Sequence, residues 1–576
     1  MTDQTQNSAA DAFARLQRML LGDAAGKLGP ANALPDAAGM MKLLTTGMAA
    51  DSEHWNELTG RYYRDHLELW QKFSAANPAA DKTLPEPPQD RRFSAPEWRE
   101  PYFSYLAQSY LLSARWLEEL TASARLDAHA KHKLSFYTRQ LVDSLCPANF
   151  PWSNPEAIKL AAATDGDSIT QGLKNLAADI DKGLVSMTDA TAFEVGRNLA
   201  VSPGAVVFEN DFMQLIQYQP LTDTVHERPL LMVPPCINKY YILDLQPDNS
   251  YVRHAVAAGH TVFMVSWRNM PAEMGTATWD DYLEHGVMRA IKAAQDISGS
   301  AQINTLGFCV GGTLLASALA VMRARGEDPA SSVTFLTTML DFSDTGELSV
   351  FIDEAYVQAR EAEFAQGGLL RGRELALTFA SLRANDLIWP YVVNNYLKGR
   401  TPAAFDLLYW NSDSTNLPGV MYAYYIRNTY LENNLRIPGK LNMCGVAVDL
   451  AALDMPAYVL AAREDHIVPW KTAYATPGLI SGPAQFVLAA SGHIAGVINA
   501  PARNKRNYWL NAAASPGADA WLEGATSHPG SWWPHWTGWL ADFGGAQIAA
   551  PAGCGNADYM QIEPAPGRYV REKAAG

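Results

Sequence analysis

Two rhythms of apolar and polar positions divide the chain. From about Ala10 to Gly183, apolar residues recur at three- and four-residue steps, as in YFSYLAQSYLLSARWLEEL from Tyr102 and HKLSFYTRQLVDSL from His132. That spacing predicts amphipathic helices, each burying one face. The segment LPEPPQDRRFSAPEW from Leu84 carries too much proline to continue a helix and reads as a loop between two helical blocks. From about Thr191 the pattern changes to short β-rich runs: QLIQY (214–218), LLMVPP (230–235), TVFMVSW (261–267), INTLGF (303–308), SSVTFLTTML (331–340), AYVLAA (457–462) and AQFVLAA (484–490). Several are apolar throughout, as strands covered on both faces must be. Helical stretches lie between them. DDYLEHGVMRAIKAAQDI places Leu283, Val287, Ile291 and Ala294 on one face, and Thr278 with Asp281 offers a capping box at its start. Alternating strand and helix predicts a mostly parallel sheet with helices on both sides. The domains expected are a mainly helical one over 1–189 and an α/β one over 190–576.

One gap interrupts the alternation. About 115 residues separate the strand ending near Met339 from the one beginning at Ala457, far more than a crossover needs. The stretch is rich in aromatic residues, as in LTFASLRANDLIWPYVVNNYL, FDLLYWNSDS and YAYYIRNTYL. It reads as an insertion over about 341–455, a cap folded over the strand ends. Plain core and a subunit surface are equally open uses for its aromatic rings.

Composition narrows the class. With 48% hydrophobic and 18% charged residues, the chain is too apolar for disorder. Its net charge of −15 disfavours nucleic acid, and a mean hydropathy of −0.13 disfavours a polytopic membrane protein. The run Leu306–Met322 is broken by Gly307, Gly311, Gly312, Thr313 and Ser317 and is short for a membrane span. The opening MTDQTQNSAADAFARLQRML lacks the basic and apolar blocks of a signal peptide, so a cytoplasmic location is expected. Cys146, Cys236, Cys309, Cys444 and Cys554 are far apart with no C-x-x-C pair; neither a disulfide framework nor a metal site is expected. His54, His66, His129 and His132 in the helical part have no matching acid and nucleophile pattern.

Candidate chemistry concentrates at Gly307-Phe308-Cys309-Val310-Gly311, which follows the strand INTLGF and opens the helical VGGTLLASALAVMRARG. This is the setting of a nucleophile elbow, with cysteine in place of serine, and it implies an α/β-hydrolase fold. Small residues are needed because the bend brings backbones together, and the helix start presents amides that stabilise negative charge. In this architecture the acid and then the histidine follow the nucleophile. Asp465 in AYVLAAREDHIVPW and His493 in AQFVLAASGHIAG meet that order, each after a strand. Glu464 and Asp341 are rival acids. An oxyanion hole needs two N–H donors: Val310, and one from LLMVPPCINKYYILDL. Pro234 and Pro235 have no N–H, which leaves Cys236 or Ile237. A cysteine nucleophile suits acyl transfer from thioesters; a thioesterase or polyester hydrolase with the same triad is the alternative reading.

The strings VPPCINKYYILDL, VSWRN, LGFCVGGT, LDFSDTG, FDLLYWNSDSTNLPG, AREDHIVPW, ASGHIAGVIN and GSWWPHW resemble polyhydroxyalkanoate synthases of class I, from about Phe193 onward. The resemblance implies polymerisation of (R)-3-hydroxyacyl-CoA, mainly 3-hydroxybutyryl-CoA, into polyester with release of coenzyme A, through an acyl group held on Cys309. It puts the acid on Asp465 and the histidine on His493. It further implies no cofactor beyond the coenzyme A of the substrate, a homodimer, residence on polyhydroxyalkanoate granules in the cytoplasm, and an N-terminal domain that serves granule attachment, dimer stabilisation or the binding of granule-associated proteins.

Overall fold

The computed structural model describes Thr45 and residues 52–75, 89–512 and 517–574. The helical spacing read from Ala10 to 51, Thr45 apart, and residues 84–88 of the proline-rich segment lie outside these. The chain divides into two compact units, Met1–Asp189 with Leu377–Ala404, and Ala190–Ala376 with Phe405–Gly576.

In the first unit, helices α1 (Ser52–Ala75), α2 (Pro101–Ser123), α3 (Ala128–Ser144), α4 (Pro155–Ala163) and α5 (Asp167–Lys182) follow the three- and four-residue spacing. Their ends are chemically marked. Asp127 accepts from the Ala130 amide at 2.9 Å, Asn154 accepts from the Ala157 amide at 3.1 Å, and Gly183 closes α5 at φ 70°. Trp55 and Leu58 of α1 meet Leu120 of α2 and Leu134 of α3 in one apolar cluster. What is described of the proline-rich segment forms short 3₁₀ turns that bury Phe93 and Trp98.

Residues 377–404 lie inside the stretch read as a single insertion, yet they belong to this helical unit. The reason is visible in their spacing. Ala380, Ala384, Ile388, Val392 and Tyr396, four residues apart, form an apolar cluster with Leu176 and Val185, and the Tyr396 hydroxyl donates to Asp179 at 2.8 Å. Such a stripe needs a helical partner to be buried.

The second unit is built on eleven strands: β1 (Gly204–Glu209), β2 (Met213–Tyr218), β3 (Leu230–Val233), β4 (Val262–Trp267), β5 (Ile303–Phe308), β6 (Ala330–Leu336), β7 (Ala457–Ala462), β8 (Ala484–Ala489), β9 (Asn507–Leu510), β10 (Thr526–Pro529) and β11 (Glu563–Pro564). Their order is β10-β9-β8-β7-β6-β5-β3-β4-β2-β1-β11. The central six, β3 to β8, are parallel, whereas β2, β1 and β11 on one side and β9 and β10 on the other are antiparallel. The sheet is therefore mixed rather than mostly parallel. Residues 210–212 suffice to join β1 to β2 as a hairpin, which no parallel pair allows. The edge strands β9 and β10 are at most half-buried and lack the apolar runs that announced the central ones.

Alternation along the strands builds two cores. Leu231 and Val233 face one, Leu230 and Met232 the other, where Trp532, Trp533 and Trp536 pack with Tyr251 and Tyr458. Helix α6 (Val310–Ala324) is buried from Val310 through Met322. The capping box at Thr278 and Asp281 is present, and Leu283, Val287, Ile291 and Ala294 are all buried.

Candidate active site

The strand-to-helix bend sits between β5 and α6. Cys309 occupies it at φ 53°, ψ −129°, a left-handed backbone that costs a non-glycine residue about 1–3 kcal/mol. Neighbours hold it there. The Cys309 amide donates to the Leu336 carbonyl of β6 at 3.0 Å. The Cys309 carbonyl accepts from the Gly312 amide at 2.9 Å and from the Thr338 hydroxyl at 3.2 Å. A Cβ on Gly311 would stand 2.3 Å from the Val233 carbonyl oxygen and 2.5 Å from that of Pro234. Only glycine lets the start of α6 close onto the end of β3, and this contact sets the loop Pro235–Tyr241 beside Cys309.

Asp465 follows β7 in a tight turn. Its Oδ1 accepts from the amides of Ile467 and Val468 at 2.8 and 2.9 Å, and its Oδ2 lies 2.7 Å from Nδ1 of His493. The carboxylate is fully excluded from solvent and the imidazole is buried. His493 opens a short helix (His493–Val497) after β8. That helix approaches β7 closely: a Cβ on Gly496 would meet the Ala462 Cβ at 2.7 Å. The Phe308 ring lies along the imidazole with centroids 5.7 Å apart. Nδ1 is committed to the carboxylate, and the Cys309 side chain lies near the ring. Burial pushes the imidazole down, but its interactions with the Asp465 carboxylate and the Cys309 side chain outweigh that and raise its pKa to about 10.

The rival acids are elsewhere. Asp341 accepts from the Ser343 amide, from Asn433 at 2.8 Å and from Arg436 at 2.9 Å. Glu464 is exposed. Cys236 is buried close to Cys309, and burial pushes its thiol up to about 12; its own amide faces that thiol. Among the described residues the Ile237 amide donates to no backbone carbonyl, while its carbonyl accepts from the Thr415 amide at 2.8 Å. Val310, first in α6, has no earlier turn to receive its N–H.

Sequence reasoning did not single out Tyr425 and Tyr430. Both stand near Cys309, with ring centroids 5.6 Å apart, and Phe342 packs edge-on against Tyr430. A π-helical stretch over Arg427–Leu431 shifts the 3.6-residue phase there, so the spacing in YAYYIRNTYL does not reveal the pair. No group of three or more His, Cys, Asp or Glu side chains able to hold a metal occurs among the described residues.

Comparisons with known proteins agree with this architecture. Residues 229–500 match the alpha/beta hydrolase fold, and residues 89–255 match the family described as poly-beta-hydroxybutyrate polymerase (PhaC) N-terminus. The poly(3-hydroxyalkanoate) polymerase subunit PhaC of Cupriavidus necator is 57% identical over 525 residues, covering 90% of this chain and 88% of that one. The chain belongs to the poly(3-hydroxyalkanoate) polymerase family. Two further relatives match over most of the chain. The PhaC subunit of Rhizobium meliloti is 41% identical over 84% of this chain and 80% of its own. The polymerase of Methylorubrum extorquens is 40% identical over 92% and 90%. The polymerase match begins at Gln89 and runs on past β3, so helices α2 to α5 are part of that family's pattern, whereas the elbow lies in the alpha/beta hydrolase match.

Proposed function

We propose that Cys309 is the acyl-carrying nucleophile of this polymerase, with His493 as its base and Asp465 as the residue that orients and charges the imidazole. The reaction is that of the family, transfer of 3-hydroxyacyl groups from coenzyme A thioesters into a polyhydroxyalkanoate. Cys309 attacks the thioester carbonyl, the proton of its thiol passes to His493, and coenzyme A leaves carrying that proton. The hydroxyl of the next acyl unit, or of the growing chain, then gives its proton to His493 and attacks the acyl-cysteine; an ester forms and the thiol is regenerated. The amides of Val310 and of Ile237 or Cys236 stabilise the oxyanion in both halves. The observation that carries the reading is the His493–Asp465 contact of 2.7 Å beside a cysteine on a positive-φ elbow.

The finer reading is a preference for (R)-3-hydroxybutyryl-CoA, a homodimeric enzyme, and residence at the surface of granules in the cytoplasm, with granule-associated proteins as partners. Tyr63, Leu67 and Trp70, exposed at 67%, 54% and 56% along one side of α1, support contact of the first unit with an apolar surface. No helix among the described residues is long and apolar enough to cross a membrane. Incubation with 3-hydroxybutyryl-CoA tests the chemistry: free coenzyme A with insoluble polyester is expected, whereas soluble 3-hydroxybutyrate would make the protein a thioesterase. A Cys309→Ala protein that still releases coenzyme A would remove the nucleophile from its role.

A further inference from the structure

The loop after β3, which supplies the second oxyanion donor in the reading above, is stitched on two sides by polar contacts that the mechanism does not use. On one side stands the segment Tyr409–Asn416. Trp410 Nε1 donates to the Lys239 carbonyl at 2.6 Å, the Thr415 amide and hydroxyl both donate to the Ile237 carbonyl, and Asn238 bridges to Ser414. On the other stands the segment Pro566–Lys573. The buried Lys239 ammonium donates to the Tyr569 carbonyl at 3.2 Å, and the Tyr240 hydroxyl donates to the Pro566 carbonyl at 3.5 Å.

One carboxylate joins the two sides. Asp413, with its side chain 3% exposed, accepts at one oxygen from the Tyr241 hydroxyl at 3.0 Å and from the Lys573 ammonium at 2.8 Å. Asn269 closes the ring, donating to the Lys573 carbonyl at 3.2 Å and accepting from the Asn416 amide at 2.9 Å. A buried charge is tolerated only when it is paired and hydrogen-bonded, and such pairs are best attested where one arrangement must be held against others. Surface fastening would not need this: the contacts converge on the five residues that follow Cys236.

We infer that Asp413, Lys239 and Lys573 form a clamp that positions the Ile237 amide for the oxyanion, so that they are positioning residues for acyl transfer and not mere fold supports. The inference rests on the proposed oxyanion role of that loop. An oxyanion donor moved by a fraction of an ångström loses most of its effect, and losing one outright costs about 10²–10³-fold in rate. Alkylation of the cysteine by iodoacetamide involves no oxyanion.

The two reactions therefore separate the clamp from general damage. In Lys573→Met, altered at an exposed side chain, and in Asp413→Asn, single-turnover acylation of Cys309 by 3-hydroxybutyryl-CoA is expected to slow by about tenfold or more. Iodoacetamide labelling of Cys309 should stay within about twofold of the parent, and Lys573→Arg should restore most of the acylation rate. Unchanged acylation in both variants, or acylation and alkylation falling together, overturns the clamp. Ile237→Pro removes the donor itself and tests the underlying reading separately. Normal acylation in that variant defeats the oxyanion assignment, whereas normal acylation confined to Lys573→Met and Asp413→Asn defeats the clamp alone.

Discussion

Gly307 and Gly312 face each other across the elbow so closely that a Cβ on the first would stand 2.4 Å from the Cα of the second. On the far side of α6, a Cβ on Gly312 would lie 2.1 Å from the Thr338 hydroxyl oxygen. The end of β5 and the first turn of α6 thus touch through backbone, and no side chain is available to give way. Gly307→Ala is expected to destabilise the second unit by about 1–3 kcal/mol and to cut turnover far more than substrate binding, since Cys309 is displaced with the bend. Denaturant unfolding and steady-state kinetics check both; a stable, fully active Gly307→Ala protein would contradict the close approach.

His493 makes stability depend on pH in a definite direction. Its folded-state pKa is raised to about 10, above the ordinary value near 6.5. Its contribution to stability is therefore fully present below about 6.5 and is lost as pH rises through 10, because over that range the unfolded chain has released the proton that the folded chain retains. Thermal midpoints at pH 6.5, 8 and 9.5 should fall, and the fall should be shallower in His493→Gln. Equal slopes in the two proteins would mean that another group sets the dependence.

Two acids separate cleanly by substitution. Asp465→Asn removes the charge facing His493 and is expected to lower turnover by about 10²–10⁴-fold. Asp341→Asn should leave turnover within about tenfold while lowering the melting temperature, because Asp341 is occupied by Asn433 and Arg436. Kinetics on the two purified variants decide it, and a larger loss in Asp341→Asn would reverse the assignment.

The two thiols near the bend differ in accessibility. Cys236 is 1% exposed with its thiol pushed up to about 12 by burial, whereas Cys309 is partly exposed. Iodoacetamide at pH 7.5 should label Cys309 first, and Cys236→Ala should retain polymer synthesis. Peptide mass mapping in which Cys236 is labelled ahead of Cys309 would contradict this ordering.

Much of the second unit was legible because its central strands are covered on both faces. Such strands must be largely apolar, as Leu230–Val233 is throughout and Val262–Trp267 is but for Ser266, and they stand out along the chain. The elbow was legible for a related reason: Gly307 and Gly312, on either side of Cys309, meet through backbone at the bend, so that glycines are written into the chain around it. The contact between Asp465 and His493 was legible because parallel strands deliver the residues after them to one edge of the sheet. The edge strands β9, β10 and β11 carry no comparable burial, and nothing local announces them.

The sequence by itself determined the helical and α/β halves, the central strands and the bend at Cys309, since each depends on contacts between residues close along the chain or on complete burial of a short run. Tertiary structure alone decided that 377–404 joins the helical unit, that Tyr425 and Tyr430 stand near Cys309, and that Asp413 binds both Tyr241 and Lys573. Those relationships join residues up to 217 positions apart, as from Asp179 to Tyr396. Neither partner's local sequence specifies which of many polar or aromatic side chains it will meet; only the closing of the sheet and its insertions selects the pair.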